Sequence, residues 1–165
     1  MPATLRPATA TDLAAINDIY NHYVACSTCT FALKPETMDE RTAWFSARSE
    51  IHPVLVAEDL GTVIGWASLS AWNKRCAYAQ TVESSVYIHH DHHRRGLGRK
   101  LMVRLLELAT ELRLHSVIAG VSADQTASLA LHQGLGFIEV ARFKEIGFKF
   151  GKWLDVIYLQ KMIQF

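Results

Sequence analysis

The run from Val82 to Leu112 constrains this chain more than any other. Apolar and polar residues alternate from Val82 to Ile88, the period of a strand with one buried face. From Leu101 onward, Leu101, Leu105, Leu108 and Leu112 recur at the three- and four-residue spacing of one helix face. Between the two lies His93-Arg94-Arg95-Gly96-Leu97-Gly98-Arg99-Lys100, a pair of glycines one residue apart with cationic residues on both sides. Glycine allows backbone angles and a close approach that a Cβ would block, and the free N–H groups at a helix start make an anion site. A strand, a basic glycine turn and a helix therefore predict a bound phosphate, the plainer alternative being a turn with no ligand. Two other phosphate motifs fail: a dinucleotide fingerprint needs a third glycine where Leu101 stands, and a Walker loop needs Lys-Ser/Thr where Arg99-Lys100 stand.

At 165 residues, the chain is expected to form one domain, 1–165, with a core that requires neither disulfides nor metal. A net charge of +1 argues against nucleic acid as a partner, so the cations around Gly96 read as a local site for a small anion. No signal-peptide core and no membrane-spanning run is visible, which predicts a cytoplasmic protein without a membrane partner. Cys26-Ser-Thr-Cys29 has the spacing of a redox pair or half a zinc site, but no second ligand pair accompanies it, and reduced thiols are expected. In His89-His90-Asp91-His92-His93, consecutive turn side chains should diverge, so solvated or phosphate-facing roles are expected and no metal.

Leu5-Arg6-Pro7 reads as a short strand, and Thr9 or Thr11 caps a helix with the apolar face Leu13, Ile16, Tyr20 and Tyr23. A loop from Ala25 to Pro35 carries Phe31, and Thr37-Met38-Asp39-Glu40 is a capping box that opens a helix through Trp44 and Phe45. Val54–Ala57 and Thr62–Leu69 form a hairpin about Asp59-Leu60-Gly61, and a loop from Trp72 to Tyr78 precedes the strand Gln80–Ile88. Ser116–Val121 is a further strand, Thr126–Gln133 a helix, and Gly136-Phe137 begins another strand. Gly147, Gly151, Lys144, Lys149 and Lys152 read as a loop before the last strand, Trp153–Met162. This order predicts an α/β chain with a mixed sheet flanked by helices, a right-handed parallel crossover from Gln80 to Val121, and a ligand at the carboxyl end of its strands.

These residues resemble the GNAT N-acetyltransferases, whose acyl-CoA motif, Gln/Arg-x-x-Gly-x-Gly/Ala, reads here His93-Arg94-Arg95-Gly96-Leu97-Gly98. The family's second motif, an Asn followed by a helix and Gly-Phe, resembles Gln125 to Phe137, with Gln125 for Asn and His132 for the common Tyr. Nearly the whole chain resembles the phosphinothricin and methionine sulfoximine acetyltransferases: Asn21-His22-Tyr23, Ser27-Thr28 with Phe31, Trp72 with Lys74-Arg75 and Ala77-Tyr78, Glu83 to Tyr87, and Gly147 to Asp155. The resemblance implies a single-domain fold with a mixed, mostly antiparallel seven-stranded sheet and about four helices. It also implies acetyl-CoA as cosubstrate, a small amino-acid-like acceptor, and a homodimer. Acetyl-CoA would be held by Val86, Tyr87, Ile88, Arg94, Arg95, Gly96, Leu97, Gly98, Arg99, Gln125 and Ser128, and the acceptor by Phe31, Lys74, Arg75 and Tyr78.

Acetyl transfer requires an uncharged amine. Glu83, sharing a strand face with Ser85 and Tyr87, is the candidate base, against the reading of a strand glutamate paired with Arg75. Backbone N–H groups from Val86 to Ile88 could donate to the developing oxyanion, and a bulge would free them. His132 could protonate the departing thiolate or simply be a packed histidine. Direct transfer in a ternary complex needs no cysteine. The alternatives are acetylation of a peptide N-terminus or other amine, and a module that binds acyl-CoA without turnover.

Overall fold

The computed structural model describes residues 3–164. β1 (Thr4–Pro7) leads through a 3₁₀ turn at Ala10–Asp12 into α1 (Leu13–Cys26), followed by α2 (Met38–Ser46). Next come β2 (Val54–Asp59), β3 (Thr62–Ala71), β4 (Thr81–Ile88), α3 (Leu97–Glu111) and β5 (Ser116–Ser122). α4 (Thr126–Gln133), β6 (Ile138–Lys149) and β7 (Lys152–Met162) complete the chain. The seven strands form one mixed sheet in the order β1-β2-β3-β4-β5-β7-β6, in which only β4 and β5 run parallel, the expected crossover around α3. Among the described residues, no helix is long and apolar enough to cross a membrane.

Local chemistry accounts for these elements. Thr37 and Glu40 close the expected capping box, with the Glu40 N–H donating to Thr37 Oγ1 and the Thr37 N–H to Glu40 Oε2. The β2–β3 turn places Leu60 and Gly61 at φ of 50° and 80°, the left-handed pair that a two-residue hairpin prefers. Helices cover both faces of the sheet. Leu101, Met102 and Leu105 of α3 pack with Leu69, Val82, Val117 and Leu159 on one face. On the other, Leu13, Ile16 and Ile19 of α1 pack with Val54, Val56 and Trp66.

α3 begins at Leu97, with Gly96 as its N-cap, so the paired glycines stand at the helix start as expected, Gly98 lies within the first turn and Leu97 is buried. One expectation fails. The supposed loop around Lys144 and Gly147 belongs to β6, a twelve-residue strand paired with β7 through two register shifts. β6 is the sheet edge, where lysines and bulges are tolerated because one side of the strand meets water. The true turn is Phe150-Gly151, at φ of 51° and 73°.

Candidate active site

β4 and β5 pair only from Thr81 to Glu83, opposite Ser116 to Ile118, and then part. The β3–β4 register runs from Ala71↔Val82 to Gly65↔Ile88 without a shift, so it is the parting of strands, not a bulge, that leaves backbone groups free. Their direction follows from two bonds to the β3 side: the His89 N–H donates to Ile64 O, and the Thr81 carbonyl accepts from the Trp72 N–H. By alternation, odd-numbered residues direct their backbone groups to β3, and Ser84, Val86 and Ile88 direct theirs into the gap. Tyr87 is thereby corrected as a backbone donor to the gap. Its ring instead packs among Tyr20, Tyr23 and Trp66.

The gap opens into a cleft of about 770 Å³. Its lining includes Arg94, Gly96, Leu97, Gly98 and Arg99, the β4 residues Val86, Tyr87 and Ile88, and Glu83, Gln125, Ser128 and His132. Gly96 is the N-cap of α3 at φ 73°, with open space where a Cβ would project, and Arg94 also has a left-handed φ of 59°. First-turn N–H groups of a helix have no intrahelical partner, and here they face a cleft flanked by guanidinium groups, which fits a phosphate-bearing ligand. Arg95 is not in the lining. Its guanidinium bonds Asp59 at 3.1 Å and His92 at 2.6 Å.

Glu83 stands five residues before Ile88, which at strand rise puts it roughly 16 Å from the end of β4. Its carboxylate lies beside Gly120 and the Tyr158 ring, and burial raises its pKa above the ordinary carboxylate value. No salt bridge joins it to Arg75 or to any other cation among the described residues. His132 is 3% exposed. Its Nδ1–H donates to the Ser128 carbonyl at 2.8 Å, its ring stands edge-on to Phe137, and burial lowers its pKa, which keeps it neutral with Nε2 unprotonated.

Other expected residues fall elsewhere. Phe31, Lys74, Arg75 and Tyr78 are outside the cleft lining: Lys74, Arg75 and Tyr78 are exposed around the 3₁₀ turn Cys76–Tyr78, and the Phe31 ring rests on Gly147. The Trp72–Tyr78 loop is nonetheless tied to the Glu83 end, because Trp72 meets Tyr158 edge-on at 5.4 Å. The Gln125 amide donates to Thr28 Oγ1 at 2.7 Å, so it orders the loop after α1 as well as bordering the cleft. The histidine run does not diverge as expected, since ligand atoms of His89, His90 and Asp91 lie within 4.8 Å of one another. Stacking of His90 on His22 and His89 and the turn bond from the Asp91 N–H to His89 Nδ1 account for that closeness.

Tyr23, Ser27, Cys29 and Gly120 also line the cleft. Tyr23 reads in the sequence as a helix-face aromatic and as part of the Asn21-His22-Tyr23 segment, with no role assigned to its side chain. In the fold its hydroxyl donates to the Ile88 carbonyl and meets His93 Nε2 at 2.6 Å, and burial pushes its pKa up to about 12. His93 thus helps close off the last carbonyl of β4, a role set by long-range packing and invisible in the glycine motif.

The comparisons agree with this architecture. Residues 16–137 match the sequence profile of the "Acetyltransferase (GNAT) family". The chain is 43% identical over 158 residues to L-amino acid N-acyltransferase MnaT of Escherichia coli, covering 95% of this chain and 92% of that protein. It is 41% identical over 158 residues to the L-methionine sulfoximine/L-methionine sulfone acetyltransferase of Salmonella typhimurium, with the same coverages. A GNAT superfamily phosphinothricin acetyltransferase from Sinorhizobium meliloti, solved in complex with AcCoA, superposes with a TM-score of 0.95 at 36% identity, covering 99% of this chain and 89% of that one. The seven-stranded mixed sheet, its parted central strands and these similarities together place the chain in the acetyltransferase (GNAT) family.

Proposed function

We propose that this protein transfers an acetyl group from acetyl-CoA to the α-amino group of a small amino-acid analogue of the phosphinothricin, methionine sulfoximine or methionine sulfone type. The observation that carries the reading is the placement of a half-buried carboxylate, Glu83, with no cation partner among the described residues, in the same cleft as the glycine turn, with free strand backbone between them. The fit to acetyl-CoA is local: unpaired N–H groups and guanidinium groups for its phosphates, and the Val86 and Ile88 backbone for an extended amide-bearing arm. That cosubstrate supplies the activated thioester. Glu83, with its pKa raised towards the working range, accepts the proton of the attacking amine, directly or through water. Backbone N–H groups in the gap donate to the oxygen on which charge develops. His132, oriented by its bond to the Ser128 carbonyl, presents an unprotonated Nε2, so it can assist deprotonation of the amine and can protonate the leaving thiolate only with a proton it has first taken up. Transfer is direct, because no cysteine is needed as an acyl carrier.

Acceptor binding by Phe31, Lys74, Arg75 and Tyr78 belongs to the same reading, supported by the Trp72–Tyr158 contact that ties their loop to the Glu83 end. So does a homodimer. Edge strand β6, its turn and the start of β7 expose Ile138, Val140, Phe143, Ile146, Phe148, Phe150 and Trp153, a long apolar edge of the kind that pairs with a second chain. A cytoplasmic setting is in keeping with three free cysteines. The test is release of free thiol from acetyl-CoA with a panel of amines. Turnover is expected with amino-acid analogues, and turnover confined to peptides, or none at all, would refute the assignment. Sedimentation at micromolar concentration tests the dimer, a monomer counting against it.

A further inference from the structure

Lys149 is the last residue of β6, and only 3% of it is exposed. Burying an ammonium costs several kcal/mol unless hydrogen bonds replace its water. Here no carboxylate pairs with it among the described residues. Its Nζ donates instead to the carbonyls of Ser27 and Thr30, at 2.7 and 2.8 Å, and lies 4.9 Å from the centroid of the Phe150 ring. Two carbonyls more than a hundred residues away in the chain are thus gathered by one charge.

The segment it holds is part of the cleft wall, since Ser27 and Cys29 line the same cleft as Glu83 and Gly120. Other bonds fix the same segment from different sides. Thr28 donates to Asp124 at 2.7 Å and accepts from Gln125, while Thr30 meets the Tyr20 hydroxyl at 2.8 Å. Phe31 lies on Gly147, where a Cβ would overlap its ring. The hairpin itself is specialised for this, because Phe150 takes a left-handed φ of 51°, uncommon for a bulky residue, to complete the two-residue turn between Lys149 and Lys152.

We propose that Lys149 is a positioning residue for the acceptor, holding the Ser27–Thr30 segment as the wall against which the amino-acid analogue is seated beside Glu83. This rests on the acetyltransferase reading given above. Lysine suits the task because its ammonium can donate to two carbonyls that diverge, while its long stem packs through the hairpin. Replacing it with methionine retains the stem and leaves both carbonyls without a donor.

The experiment compares Lys149→Met and Lys149→Arg with the native protein, using methionine sulfoximine as acceptor. In Lys149→Met, the KM for methionine sulfoximine should rise about tenfold or more while the Kd for acetyl-CoA stays within about twofold, and Lys149→Arg should recover most of the loss. An unchanged KM, or an equal loss of both affinities, would overturn the proposal. A second measurement leaves Lys149 in place: in a Cys26→Ser, Cys76→Ser background, alkylation of Cys29 is followed with CoA present, with and without methionine sulfoximine. The acceptor should slow the alkylation several-fold by mass action. No protection would overturn the proposal even if Lys149→Met does not fold. Absence of thiol release by the native protein with every amine would instead remove the functional reading itself.

Discussion

The Glu83 carboxylate lies against the α-carbon of Gly120: a Cβ added there would stand 3.4 Å from Oε1 of Glu83 and 3.0 Å from Cε1 of Tyr158. A side chain at this position therefore presses on the Tyr158 ring and fills the space beside Glu83, the one carboxylate in the cleft lining among the described residues. Gly120→Ala should lower kcat about tenfold with little change in acetyl-CoA affinity, since a small displacement of a proton acceptor is costly. Steady-state kinetics beside a cofactor titration check this, and unaltered kcat would show that Glu83 tolerates displacement.

The glycine turn gives a second expectation. At φ 73°, Gly96 has space for a Cβ but not the backbone conformation for one, so Gly96→Val should cost about 1–2 kcal/mol of stability from strain alone. Relief of that strain reshapes the start of α3, and acetyl-CoA affinity should fall sharply in a domain that still unfolds cooperatively. Gly98→Ala is the contrast, because its Cβ would meet Leu131 at an ordinary 3.5 Å. Equal affinity for acetyl-CoA in Gly96→Val and the native protein would move the phosphate site elsewhere.

Arg75 carries a specificity prediction. An arginine can grip a carboxylate or phosphinate with two parallel hydrogen bonds that lysine cannot reproduce. Arg75→Lys should raise the KM for methionine sulfoximine more than that for a simple alkyl amine. Because Arg75 stands outside the cleft lining, equal effects on the two amines would mark it as a solvated loop charge.

Acid stability should depend on the opposite end of the sheet. Arg6 donates to both oxygens of Asp12, at 2.7 and 2.8 Å, and holds its carboxyl at about 2, below the ordinary 3.8. A depressed pKa contributes stability that is full above the ordinary value and is lost as pH falls through the folded one. Asp12→Asn should therefore be less stable than the native protein at neutral pH, with the difference closing between about pH 4 and pH 2. A difference independent of pH across that window, measured by denaturant unfolding, would assign the effect to packing.

How far the sequence reveals this molecule depends on the range of the interactions involved. The strand, glycine turn and helix from Val82 to Leu112 and the Thr37–Glu40 capping box are local, and their periodicity and spacing suffice. The β6 strand is hidden because its Lys144, Gly147 and Lys149 imitate a loop, and only pairing with β7 makes them strand residues. The parting of β4 from β5 is equally invisible, being a property of two segments more than thirty residues apart. For the same reason neither the Asn21-His22-Tyr23 segment nor the Cys26–Cys29 spacing tells where Tyr23 and Cys29 lie, although the fold brings both to the cleft. Glu83 is legible by its register relative to the turn, whereas its distance from any cation is known only from the folded chain.

The most direct test of the account is the pH dependence of kcat/KM for acetylation of methionine sulfoximine by the native protein and by Glu83→Gln. Burial raises the Glu83 pKa, so the native rate should rise with pH through a value above the ordinary carboxylate range and then follow the fraction of neutral amine. Glu83→Gln should lose roughly a hundredfold at neutral pH, bind acetyl-CoA as before, and recover as pH rises and the amine deprotonates without help. Near-full activity of Glu83→Gln at neutral pH, with the native pH profile preserved, would contradict the assignment and move the base elsewhere, with His132 the next residue to test.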